Sequence, residues 1–152
     1  MKRAQAHVGN PAIETVRTAR SGLEGGLVER RFRWAELPAV RRVAAGFGVF
    51  LDIGATRLAD LVLAVSETAA CAVYQGAAGA VLRLWQDGTS VCCEVRGEPA
   101  PGMGQLAARG DSAQALRLSL LRQVCDYVCV EADSRGVTVR VAMTVTAPPV
   151  PG

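Results

Sequence analysis

Residues 80–95 read AVLRLWQDGTSVCCEV and carry the clearest structural signal in the chain. Residues 80–85 and 91–95 have the two-residue period of β-strands that bury one face. Asp87-Gly88 lies between these runs, and Asp-Gly in this position is typical of a tight β-hairpin turn. The stretch therefore predicts two neighbouring antiparallel strands.

Further strands are predicted at both ends of the chain. Charged and apolar residues alternate over residues 28–34, which indicates a first strand. Residues 127–131 and 137–145 flank the turn sequence Asp133-Ser134-Arg135-Gly136 and predict a second hairpin. In the last strand, alternate positions from Val137 to Val145 form a buried face. The other face is expected to be wetter, and it comprises Thr138, Arg140, Ala142 and Thr144.

Three segments have apolar residues at the spacings of three and four that indicate amphipathic helices. The first covers residues 37–53, counts Phe50 among its buried positions and ends at Gly54. The second runs from an N-cap at Thr56 to about Gln75, and the third runs from Asp111 or Ser112 to about Cys125. The order of elements predicts an α+β fold, a two-layer sandwich of a mostly antiparallel sheet with helices on one face.

The length of 152 residues fits a single domain. Residues 1–28 contain several glycines and no sustained apolar period, so we interpret them as a flexible N-terminal arm. The folded domain is expected over residues 29–146, followed by a disordered, proline-rich tail over residues 147–152. Within the domain, residues 97–110 are rich in Gly and Pro and predict a long loop, and loops of that length are commonly functional.

Composition excludes several classes of function. The net charge of +3 is too small to indicate a nucleic-acid partner. No apolar run reaches the ~20 residues that cross a bilayer, and the start of the chain leads into no signal segment, so a cytoplasmic protein without a membrane partner is expected. Five cysteines and a single histidine form no recognisable metal-binding set. We therefore expect no metal site, and buried thiols in a reducing compartment.

Residues 61–76 read LVLAVSETAACAVYQG and resemble the second helix of the anti-sigma-factor serine kinases, which belong to the GHKL (Bergerat) ATPase superfamily and read approximately LVVSELVTNAVRHG there. The match includes Ser66-Glu67, Ala72-Val73 and Gly76. The resemblance covers most of residues 30–145 and extends to EVRG at 94–97 and ALRLSLLRQVCD at 115–126. It implies a Bergerat-like fold, a sigma factor or a STAS-domain antagonist as partner, and a homodimer.

Compared with that family, most nucleotide-binding positions are replaced. Cys71 stands where the family's asparagine supplies an oxygen to Mg²⁺, and a thiol is a poor ligand for this ion. Gly97 matches the aspartate that accepts a hydrogen bond from adenine, and glycine has no side chain for that purpose. Ala115 and Arg117 replace glycines that let backbone amides approach the phosphates, and Gln75 replaces a histidine. Glu67 is retained at the position of the family's presumed general base.

Three functions follow as hypotheses. The first is a bacterial regulator that binds a partner protein and has lost ATP chemistry, in which Glu67 is vestigial and no cofactor is needed. The second is an active ATP- and Mg²⁺-dependent serine kinase with Glu67 as base. The third is a sensor whose remodelled pocket, lined by Cys71, Gln75 and the loop at 97–110, takes another small ligand. Arg41 and Arg42 on the first helix are candidate contacts for an acidic partner.

Overall fold

A computed structural model describes residues 27–74, 79–98 and 112–145 of the chain. Most of the predicted arm at 1–28, the predicted tail at 147–152 and Gln75 lie outside the described residues. So does the greater part of the predicted loop at 97–110. Val28, the last residue assigned to the arm, is the first residue of the first strand.

The described residues form strands and helices in the predicted order. A 3₁₀ turn, Trp34–Glu36, connects the first strand to the first helix. The elements are β1 (Val28–Phe32), α1 (Leu37–Phe50), α2 (Ala55–Tyr74), β2 (Ala80–Asp87), β3 (Ser90–Gly97), α3 (Ser112–Val124), β4 (Tyr127–Asp133) and β5 (Gly136–Thr144).

The five strands form one sheet in the order β1-β2-β3-β5-β4, and every neighbouring pair is antiparallel. Gly88 lies in the β2–β3 turn with φ of +58°, a left-handed conformation that glycine adopts without steric cost. The chain between β3 and β4 contains α3, and β5 then fills the place between these two strands. The predicted α+β class with an antiparallel sheet is confirmed.

Helices and sheet share one large apolar core. Alternate residues of the central strands, such as Leu82, Leu84 and Val139, pack in it with Val40 of α1 and Val65 of α2, and all five are fully buried. The described helices thus cover the sheet face that carries Leu82 and Leu84, as the two-layer prediction requires. We call the opposite side of the sheet the open face.

The open face is drier than the sequence suggested. Arg140 and Ala142 were expected on a wetter surface, but only 7% and 2% of their surfaces are exposed. Ala142 belongs to a small buried cluster with Trp85, Cys92, Tyr127 and Cys129, and among the described residues its members all lie on strands. The expectation of a wetter face is therefore wrong at these two positions. The polarity of residues along one strand does not reveal which side chains of the adjacent strands cover them.

The first helix ends earlier than predicted. Asp52, rather than Gly54, adopts the left-handed conformation, with φ of +56°. The amides of Asp52 and Ile53 donate to the carbonyls of Val49 and Gly48, which is the hydrogen-bond pattern of a Schellman cap. Phe50, expected in the core, is consequently 75% exposed at the last helical turn.

The second helix also starts differently from the prediction, since Ala55 is its first residue and Thr56 lies within it. The amide of Leu58 donates to the carbonyl of Gly54 and closes the first turn. Within the described part of the chain, no helix combines the length and apolarity that a membrane span needs.

Candidate functional site

Glu67 and Arg117, predicted from different helices, meet in the structure. Glu67 lies on α2, and its Oε2 is 3.5 Å from Nε of Arg117 on α3. The two side chains are only 24% and 21% exposed, so the ion pair lies partly below the surface. The guanidinium of Arg117 therefore lies beside the carboxylate that the resemblance assigns as a general base.

Cys71 lies one helical turn after Glu67 and is completely buried. Burial raises the pKa of its thiol to about 12; the nearby Arg117 lowers the pKa by a smaller amount, and Glu67 raises it. The thiol is therefore protonated at neutral pH, whereas a metal-binding cysteine is a thiolate. This environment suits a core residue better than a ligand for a cation.

A second contact joins the same two helices. The side-chain amide of Gln114 on α3 donates to the backbone carbonyl of Cys71, at 3.2 Å. Together with the Glu67–Arg117 pair it fixes α3 against α2 across the region where the resemblance places a nucleotide. Gln114 carries no signal in the sequence, because a glutamine near a helix start is not distinguishable there from a solvated residue.

The remaining predicted nucleotide positions are less closely associated. Gly97 is the last residue of β3, where it pairs with Ala80 and Val137 and is buried. Ala115 is exposed on α3. The structure thus brings Glu67, Cys71 and Arg117 together, while Gln75 is outside the described residues.

Arg41 and Arg42, predicted as partner contacts, differ in their surroundings. Nε of Arg41 donates to the hydroxyl of Ser66 at 2.9 Å, and this contact connects α1 with α2. Arg42 is exposed. Both residues are exposed, and the contact with Ser66 uses only Nε of Arg41, so both remain candidate contacts for an acidic partner.

A row of charged residues that the sequence pattern did not predict crosses the open face. Glu29, Arg83, Glu94 and Arg140 are directly opposite one another on β1, β2, β3 and β5. Nε of Arg83 is 2.7 Å from Glu29, and its Nη1 is 3.4 Å from Glu94. Nε of Arg140 is 2.7 Å from Glu94, and its Nη1 is 3.5 Å from Glu131 on β4. We call these five residues the charge ladder.

The centre of the charge ladder is buried, since Glu94 and Arg140 are 3% and 7% exposed. Burial lowers the pKa of Arg140, but the hydrogen bond and charge of Glu94 outweigh it and raise the pKa above its ordinary value. The pKa of Arg83 is raised mainly by its hydrogen bond to Glu29. Opposite charges at alternate strand positions were visible in the sequence, but only the strand register reveals that they pair.

A cavity of about 250 Å³ lies beside the charge ladder at the β4–β5 hairpin. Arg96, Arg135 and Arg140 line it together with Glu131 and Asp133. Three positive and two negative side chains leave a small positive excess, and Arg140 is already paired with Glu94 and Glu131. The cavity is therefore a weak candidate for an anion site.

All five cysteines are free and buried, as predicted. Cys92 and Cys93 belong to the clusters on opposite sides of the sheet, which confirms the expectation for neighbouring strand residues. Among the described residues, no group of three or more His, Cys, Asp or Glu side chains is placed to hold a metal ion. No protein-family model matches the chain, and no curated protein is significantly similar to it.

Proposed function

We propose that the protein is a bacterial cytoplasmic regulator that acts by binding another protein and does not turn over ATP. The observation that carries this proposal is the Glu67–Arg117 ion pair. If Glu67 descends from a catalytic base, its carboxylate now joins two helices, and the guanidinium of Arg117 takes the room that a glycine would leave for phosphate.

The surroundings of the pair support the same conclusion. Cys71 is a buried, protonated thiol and supplies no hard oxygen for Mg²⁺. Gly97 carries no acceptor for the adenine amino group. In this proposal the Bergerat-like fold is retained as a scaffold, and the partner is a sigma factor or a STAS-domain antagonist bound by a homodimer.

Calorimetric titration of the full chain with ATP and Mg²⁺ tests the loss of nucleotide binding. We expect no binding heat and no thermal shift, whereas a ligand at a hundred times its Kd would stabilise the protein by about 2.7 kcal/mol. Micromolar affinity for ATP would contradict the proposal. Arg117→Gly, which reopens the space beside Glu67, is informative when it is compared with Arg122→Gly on the exposed side of the same helix.

An active serine kinase is the second candidate, because Glu67 is retained and its side chain is still 24% exposed. Phosphate transfer from ATP to a STAS-domain protein, abolished by Glu67→Gln but not by Glu131→Gln, would favour it. For the regulator, affinity capture from the native cytoplasm should retain a sigma factor or a STAS-domain protein without added ATP. Recovery of neither class would overturn the proposed partners while leaving the nucleotide result intact.

A further inference from the structure

Five side chains are buried on the open face of the sheet, although the described helices all pack on the other side. They form the open-face patch, which consists of Trp85, Cys92, Tyr127, Cys129 and Ala142, each between 2% and 6% exposed. A sheet with one bare face normally presents that face to water. A tryptophan that is 98% covered on such a face indicates that something lies over it.

We propose that the open-face patch is a docking surface for the chain's own residues 12–23. The inference is independent of the proposed function.

The path of the chain supports this occupant. Val28 pairs with Leu84, so the polypeptide that precedes β1 leaves the sheet beside Trp85. Residues 24–27 connect the proposed segment to that point, and four extended residues span about 13 Å. The connection is thus long enough to turn onto the open face and too short to carry the segment far from the patch.

The composition of the segment fits an apolar surface. Residues 1–28 as a whole have no sustained apolar period, but within 12–23 apolar residues occur at Ile13, Val16, Ala19 and Leu23, a spacing that would place them on one side of a helix. Asn10-Pro11 precedes them, and these residue types are favoured at the N-cap and first position of a helix. Twelve helical residues extend about 18 Å. The patch spans four strands, β2, β3, β5 and β4, or about 14 Å across the sheet.

The other segments outside the described residues fit less well. Residues 99–111 begin after Glu98, at the end of β3 where Gly97 lies opposite Ala80, and Trp85 is five residues further along β2. Residues 146–152 begin near the patch, but they contain three prolines and a single large apolar residue, Val150. The first has apolar residues at Met103, Leu106 and Ala107 but begins about 17 Å along the strand from Trp85, and the second has no repeated apolar side.

Thiol labelling of the full-length protein tests the proposal, because the cysteines divide between the two faces. Cys92 and Cys129 belong to the open-face patch, whereas Cys71, Cys93 and Cys125 belong to the helix-covered core. Labelling with N-ethylmaleimide under native conditions, quantified for each cysteine by mass spectrometry, reports the cover directly. In the double variant Ile13→Glu/Val16→Glu, we expect Cys92 and Cys129 to react at least tenfold faster while the core thiols stay protected.

The matched control is Thr18→Glu/Ser21→Glu, which places the same charges on the opposite side of a helix and should leave all five rates unchanged. The three core thiols report unfolding within the same experiment, and if the double variant unfolds, Val16→Ser is measured in the same way. Rapid labelling of Cys92 and Cys129 in the unaltered protein would overturn the proposal. Protection of Cys92 and Cys129 that persists in the double variant would also overturn it. If removal of residues 146–152 then abolished that protection, the C-terminal segment would be the cover. If dilution abolished it, the cover would be a second copy of the chain.

Discussion

The two faces of the same sheet are stabilised by different interactions. On the helix side, Leu82 and Leu84 pack among apolar residues of α1 and α2. On the open face, Arg83 lies between them in sequence and bonds to Glu29 and Glu94. Apolar burial therefore sets which side of the strands meets the helices. The alternating charges then disfavour other registers, since a one-residue slip would turn the charges into the core.

The largest expected effect is the loss of the buried pair at the centre of the charge ladder. Arg140→Ala removes the nearer of the two arginines that pair with the buried Glu94 and leaves Arg83, at 3.4 Å, in place. Removing one partner of a buried pair typically costs 3–5 kcal/mol, and we expect about 3 kcal/mol here because Arg83 remains. Urea unfolding measures the change.

Two further variants make this test specific. Arg135→Ala removes an arginine at the exposed tip of the same hairpin and should change the free energy of unfolding by less than about 0.5 kcal/mol. Glu94→Leu/Arg140→Met replaces both charges and should recover most of the loss. If Arg140→Ala costs no more than Arg135→Ala, the open face is hydrated and the contrast between the faces fails.

The second effect compares buried thiols on the two faces. Burial raises the pKa of Cys71 on the helix side and of Cys92 on the open face to about 12, from an ordinary value of 9.0. Each thiol stays protonated in the folded state but ionises in the unfolded chain above pH 9. Stability is therefore greatest below pH 9 and falls as pH rises toward 12, by about 1.4 kcal/mol per pH unit for each thiol.

Cys71→Ala and Cys92→Ala each remove one such contribution. Between pH 8 and pH 10, each variant should lose about 1 kcal/mol less stability than the unaltered protein, as measured by chemical denaturation at both pH values. Equal effects would show that the two faces are equally dry. If Cys92→Ala has the same pH dependence of stability as the unaltered protein while Cys71→Ala does not, water reaches the open face.

The smallest effect concerns close packing within the helix layer. A Cβ atom at Gly48 would meet side-chain atoms of Leu58, Ile53 and Leu61, whereas one at Gly46 would meet nothing within 4 Å. Gly46→Ala should stabilise the protein by about 0.5 kcal/mol through helix propensity. Gly48→Ala should destabilise it by about 1 kcal/mol, because overpacking exceeds that gain. Thermal unfolding of the two variants checks this, and equal melting temperatures would show that α1 and α2 are loosely packed at Gly48.

Much of the fold follows from local patterns. The hairpin at residues 80–95 is confirmed, and its strands extend to Asp87 and Ser90 because only Gly88 and Thr89 form the turn. Phe50 shows the limit of such patterns. Its spacing matches the buried side of α1, but the cap at Asp52 ends the helix and leaves the ring exposed.

For the candidate site, the resemblance identified Glu67, Cys71 and Arg117 as separate positions and gave no contact between them. It did not predict that Arg117 holds Glu67, nor that Gln114 binds the carbonyl of Cys71, because α2 and α3 are distant in sequence. The family assignment and the function remain predictions, and the ion pair gives them a physical test.

The sequence by itself determined the period of each segment, the hairpin turns and the order of elements, since these depend on sterics and burial among near neighbours. Only the tertiary structure decided that Glu94 pairs with Arg140, 46 residues away, and that the open face is dry. Such pairs depend on strand register, and the register is selected by the burial of both faces together.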